Sequence, residues 1–99
     1  MKLDHLTADW NYPTNIKQGV GRIGELPKLC KDLGMHNPLV ITDPFLAQQS
    51  MVAKVISNFH DHDMHCDIFS NIVGNPTAQN VKDGVIAFTH GNHDGVIAF

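Results

Sequence analysis

The chain has 99 residues, enough for one small domain, and its hydrophobic content of 42% is ordinary for a soluble globular protein. Its 7 Lys+Arg stand against 10 Asp+Glu, a net charge of −3 without the basic stripe that a phosphate backbone demands, so nucleic acid is not expected as a partner. No apolar run approaches a membrane span, and MKLDHLTADW carries acidic residues where a signal peptide needs its apolar core, so a cytoplasmic protein without a membrane partner is expected.

The first predicted element is extended chain over 9–20, DWNYPTNIKQGV, broken at Pro13, which biases Tyr12 away from the helical region. Glycines 19 and 21 close it with a tight turn. From Arg22 the period changes: Ile23, Leu26, Leu29 and Leu33 line one helical face. Pro27 is tolerated only in a first turn, so the regular helix is expected to begin near Leu26, with Gly34 in the left-handed position after its end. PLVIT at 38–42 is short, apolar and β-branched, without alternation, and reads as a strand covered on both faces.

Val52, Val55, Ile56 and Phe59 mark a second helix, with Ser50 as its expected cap. FHDHDMHCDIF then turns the chain into a third strand near 65–69. NPT at 75–77 opens a third helix carrying Val81, Val85 and Phe88 on one face, ended by Gly91 or Asn92. The hexapeptide DGVIAF occurs twice, at 83–88 and 94–99. The first copy falls within the helical period although Gly84 costs about 1 kcal/mol there relative to Ala. The second follows the turn GNHDG and reads as a strand. The segments before the two copies do not match, so this is one string in two conformations, not a structural repeat.

Strands alternating with helices predict an α/β fold with an open, mostly parallel sheet, truncated after the fourth predicted strand. Ligands in such sheets bind beyond the C-terminal ends of the strands, which places Asp43, the 70–75 loop and the segment after Phe99 at the expected site. Asp43 ends the PLVIT strand, where a carboxylate accepts both hydroxyls of an adenosine ribose; its competing role is a turn or helix cap. Asn75 is a second candidate, with an Asx-type cap as its competing role. Gly19, Gly21 and Gly24 match GxGxxG, but the segment before them is no buried parallel strand, so no phosphate site is expected there. His60, His62 and His65 with Cys66 are ligand types suited to zinc. They lie where a helix end passes into a strand, so the His side chains are expected to diverge into solvent. His90 and His93 have the same reading, and no metal site is expected. Cys30 and Cys66 lack a CxxC spacing and read as buried, reduced thiols.

The stretches WNYPTNIKQGVGRIGELPKLCKDLG, NPLVITDPFLA, GNPTAQNVKDGVIAF and HDGVIAF, in this order, resemble the N-terminal part of the iron-containing (group III) alcohol dehydrogenases. The resemblance implies a Rossmann-like NAD(P)-binding domain, present here as an incomplete N-terminal domain over 1–99. It also implies an all-helical domain, absent from this chain, whose Asp and three His ligands hold Fe2+ or Zn2+. It places the ribose-contacting Asp at Asp43, hence NAD as cofactor, and a cofactor-contacting Asn at Asn75. The family's pyrophosphate-binding GGGS would follow the strand matching HDGVIAF. The implied parent transfers hydride between a small alcohol or aldehyde and NAD, and a homo-oligomer is expected. The 99 residues alone are expected to be inactive. Around Asp63 the sequence departs from the family, which usually has a Gly there. A small flavodoxin-like or receiver-like binding module is the competing reading.

Overall fold

The computed structural model describes Asp9 and residues 14–99. A 3-10 turn, Arg22–Glu25, leads into α1, Leu26–Asp32, and the remaining order is β1 (Pro38–Ile41), α2 (Pro44–Ala47), α3 (Ser50–Asp61), β2 (Asp67–Phe69), α4 (Ala78–His90) and β3 (Gly95–Ala98). Pro27 lies in the first turn of α1, where its missing N–H costs nothing, and Gly34 takes the left-handed φ of 82° that stops the helix. The cap of α3 is Gln49 rather than Ser50, and Gln49 makes no side-chain cap bond.

The sheet is parallel with the order β2-β1-β3. The described residues therefore hold three strands, not four. Residues 14–18 form no ladder, and 19–21 turn directly into the 3-10 segment; Trp10, Tyr12 and Pro13, the other half of that predicted strand, lie outside the described residues. The polar run Thr14, Asn15, Lys17 and Gln18 stays exposed and offers no apolar face to a ladder.

β1 is the central strand, and Leu39 and Val40 are buried on its two faces. Paired residues of parallel strands share a face, so Val40, Ile68 and Ile97 point one way and Ile41, Phe69 and Ala98 the other. On the first face Val40 joins Cys30 of α1, Val55 and Phe59 of α3, and Met64 and Cys66 in one core, with Ile97 and Phe99 packed against it. The second face is covered by α4, which buries no residue fully and leaves Val81, Val85 and Ile86 exposed.

The two copies of DGVIAF separate as expected: the first lies inside α4 and the second forms β3. Thr77 and Asn80 make a capping box that starts α4 and carries the first copy as helix. The second copy begins after Asn92, which takes a left-handed φ of 54°, and its amides pair with β1. A methyl at Gly95 would overlap the Met35 side chain, which would have to move to admit it. Asp63 adopts a left-handed φ of 55°, a backbone that Asp tolerates at a cost of up to about 1 kcal/mol.

Asp94 ties the start of β1 to the turn before β3. Its carboxylate accepts the His36 and Asn37 amides at 2.7 and 2.9 Å. These bonds hold its carboxyl below the ordinary value of 3.8. A depressed carboxyl contributes stability that is present above its unfolded-state pKa and lost as pH falls through the lower folded value. The Asp94→Asn chain is therefore expected to unfold at lower urea than the unsubstituted chain at neutral pH, with the gap narrowing in strong acid. A gap independent of pH in urea titrations would contradict the assignment.

Candidate cofactor site

β1 ends at Ile41, and the ladder closes with Thr42 N–H donating to Phe69 O at 3.1 Å and Phe99 N–H donating to Ile41 O at 2.9 Å. From β1 the chain goes out through α2 and α3 to β2, then returns through α4 to β3 on the other side of β1. The connections leaving β1 and β2 thus run to opposite faces of the sheet, and the crevice where α/β sheets bind ligands lies at this end of the strands.

Asp43 is the first residue past this ladder. Its backbone is extended, and Pro44 fixes the first position of α2. Oδ1 accepts the Leu46 N–H at 2.7 Å, so the capping role is real. It uses one oxygen. Asp43 is exposed, and Oδ2 has no hydrogen-bond partner among the described residues. One carboxylate thus holds its own loop with one oxygen and offers the other to a hydroxyl donor. Beside it Thr42 is 3% exposed, and its Oγ1 has no partner among the described residues.

Asn75 lies exposed in the loop after β2, on the same edge of the sheet. The cap read as its competing role belongs elsewhere. Thr77 Oγ1 accepts the Asn80 N–H at 3.2 Å, while Asn80 Oδ1 accepts the amides of Thr77 at 3.1 Å and Val73 at 3.3 Å. Asn80 Nδ2 also donates to Asn71 O at 3.3 Å. Asn80 therefore organises the 71–77 loop that presents Asn75. The sequence carried a signal for it, an amide three residues into a helix that opens with Thr.

Of the other sequence candidates, one reading is corrected: His93, expected to point into solvent, is buried, its Nδ1 3.0 Å from Asn37 O. Gly19, Gly21 and Gly24 sit on a turn without a preceding strand, and Gly24 O is occupied by Asn58 Nδ2 at 3.0 Å. His60 and His62 stay at the exposed end of α3, with His62 Nδ1 on Asn58 O at 2.8 Å, while Cys66 is buried in the core. Among the described residues no three His, Cys, Asp or Glu side chains form a ready-made metal site, so the iron or zinc implied by the family finds no ligand set in these residues. The NAD implied by the resemblance does find a fitting group, the open Oδ2 of Asp43. On the α4 side of the sheet lies an apolar groove of about 550 Å³, walled by Leu39, Ile41, Phe69, Val81, Val85 and Val96. No helix among the described residues is long and apolar enough to cross a membrane.

Comparison with known proteins decides the family. Residues 13–99 match the family model described as iron-containing alcohol dehydrogenase. The chain belongs to this family. It is 34% identical over 80 residues to the lactaldehyde reductase of Escherichia coli K12, covering 81% of this chain and 21% of that protein. It is 27% identical over 89 residues to the choline dehydrogenase of Bacillus subtilis strain 168, covering 90% of this chain and 22% of that protein. Among solved structures, a 1,3-propanediol oxidoreductase superposes with a TM-score of 0.76 at 26% identity, over 81% of this chain and 21% of that one. The sulfoacetaldehyde reductase of Bifidobacterium kashiwanohense, solved in complex with NAD+, shares the fold with a TM-score of 0.78 at 20% identity, over 89% of this chain and 23% of that one. The chain spans about a fifth of the length of these relatives. Family membership displaces the flavodoxin-like or receiver-like reading.

Cys66 supplies a test of this packing. Burial first, then the neighbouring Asp67 and Cys30, push its thiol up to about 11. At mildly alkaline pH the native chain is expected to react with iodoacetamide at Cys66 far more slowly than the urea-unfolded chain. Equal rates, read by peptide mass spectrometry, would show that the core over Cys66 is open.

Proposed function

We propose that this family member forms the cofactor-binding part of a metal-dependent alcohol dehydrogenase that uses NAD and acts on a small alcohol or aldehyde, with residues 1–99 as the N-terminal, incomplete dinucleotide-binding domain. The observation that carries the reading is the divided role of Asp43 at the end of the central strand: Oδ1 held by Leu46 N–H, Oδ2 open. When bound, NAD supplies the hydride acceptor, and its reduced form the donor. Asp43 Oδ2 accepts from the adenosine ribose hydroxyls, which fixes the adenosine half against the end of β1. The same charge meets a 2′-phosphate without a compensating cation, since Pro44 and Phe45 follow, and so favours NAD over NADP. Asn75, with its amide not spent on a helix cap, bonds the cofactor toward the nicotinamide half. The divalent metal, iron or zinc, takes its ligands from outside these residues, and the 99 residues alone do not turn over. The exposed apolar side chains of α4 favour a homo-oligomer.

The test grafts residues 13–99 in place of the matching segment of the E. coli lactaldehyde reductase and measures kcat/KM with NAD and NADP. Asp43→Asn keeps a capping oxygen but removes the charge, so thermal stability is expected to hold while the NAD:NADP ratio falls. Asp43→Gly is expected to lose the charge-assisted ribose bonds, roughly 1.5–3 kcal/mol, with NAD efficiency falling more than NADP efficiency rises. An unchanged ratio in both variants would limit Asp43 to its capping role.

A further inference from the structure

The loop after β2 has little within itself to fix its shape. Ile72 N–H donates back to Ser70 O at 2.8 Å, and after that turn residues 73–76 make no backbone–backbone hydrogen bond among the described residues. Pro76 has no N–H to give. Gly74 adds no constraint either: its φ lies outside the left-handed region, and a side chain there would meet nothing within 4 Å. A glycine next to Asn75, in a loop without a ladder, leaves the Asn75 amide a wide range of positions to lose on binding.

One side chain closes this loop from outside it. Asn80, half-buried in the first turn of α4, grips both ends. Its Nδ2 donates to Asn71 O at 3.3 Å, and its Oδ1 accepts the amides of Val73 at 3.3 Å and Thr77 at 3.1 Å. Residues 71 and 73 precede Asn75, and residue 77 follows it. These partners permit one orientation of the amide, because turning it over would set Nδ2 against two N–H donors and Oδ1 against a carbonyl. The grip therefore needs a group that accepts on one side and donates on the other.

We propose that Asn80 is a positioning residue for the cofactor: its amide locks the 71–77 loop so that Asn75 is held toward the nicotinamide half, without Asn80 itself touching the cofactor. The role rests on Asn75 as a cofactor contact. Chemistry separates it from helix capping. Asn80 is the third residue of α4 and shares the capping box with Thr77. An Asp at this position would serve the cap as well, since a carboxylate accepts the Thr77 and Val73 amides and its charge suits a helix N-terminus. What a carboxylate lacks is a donor. Its second oxygen would face Asn71 O where Nδ2 now stands, acceptor against acceptor. Asn80→Asp therefore keeps the start of α4 and releases the Asn71 end of the loop, and Asn75 reaches its bound position at a greater entropic cost.

The test measures binding of NAD+ and of AMP to the 99-residue chain, read from the amide shifts of residues 42–46, in the unsubstituted chain, Asn80→Asp, Asn75→Ala and the double variant. AMP reports the Asp43 end alone. The loss of one hydrogen bond corresponds to about a three- to tenfold weaker affinity. Asn80→Asp and Asn75→Ala are each expected to weaken NAD+ by that factor while AMP affinity and the thermal midpoint hold. The double variant is expected to bind NAD+ no more weakly than Asn75→Ala, because Asn80 acts through Asn75. If Asn75→Ala weakens NAD+ but Asn80→Asp binds it at full strength, loses AMP equally, or adds its loss to that of Asn75→Ala, the positioning role is overturned and the Asn75 contact stands. If Asn75→Ala binds NAD+ at full strength, or the unsubstituted chain binds NAD+ no more tightly than AMP, the Asn75 contact itself is overturned, and the positioning role with it.

Discussion

Parallel pairing of β1 on both edges is the constraint on which the rest of the structure depends. Each parallel pair needs a crossover, and β2 and β3 lie on opposite sides of β1. The chain must therefore leave β1 in one direction and come back on the other. This gives the sheet its helices on both faces and its crevice at one end. It also makes Asp43 the first residue beyond the ladder with a side chain in solvent, between a buried Thr42 and a proline that starts a helix. The proposed site is thus a consequence of strand order, and the carboxylate is the chemistry that strand order puts there.

The two faces of the sheet are built differently. The α3 face is a closed core in which Phe59, Val40 and Val52 are fully buried, and area burial dominates. The α4 face is open, and α4 is held largely at its ends. Asn80 fastens its first turn to the 71–77 loop, and Asn37 Nδ2 donates to Gly91 O and Asn92 O at 2.9 and 3.0 Å just past its last turn. A helix secured in this way keeps its register without deep apolar contacts. The groove beneath it follows directly, because the apolar stripe of α4 and the outer residues of β1 and β3 face each other without interdigitating.

Much of this was legible in the sequence because it is local. The apolar run PLVIT, the 3–4 spacing of Val52, Val55, Ile56 and Phe59, and the Pro27 and Gly34 boundaries each state their element within a few residues. Even the doubled DGVIAF could be divided, since a helix cap precedes one copy and a turn the other. Asp43 was legible as the residue after a buried strand. The divided use of its two oxygens was not, because it depends on the rotamer that the Leu46 amide selects. Within the stretch 9–20, residues 14–18 were overread from Pro and Gly punctuation, which marks boundaries without supplying an apolar face. The burial of His93 was invisible for another reason: His93 and the Asn37 carbonyl it bonds, far apart along the chain, become neighbours only through the pairing of β1 with β3, and within its own segment His93 reads as a solvated side chain.

The central claim is that the ligand end of this chain is the C-terminal edge of the sheet, with Asp43 as its anchor. Amide chemical shifts of the isotopically labelled chain during NAD+ titration test it most directly. The account expects saturable shifts concentrated in residues 42–46 and 70–76, much reduced in Asp43→Asn. Saturable shifts confined instead to residues 36–37 and 92–95, at the opposite edge, or no shifts in either region at millimolar NAD+, would contradict it.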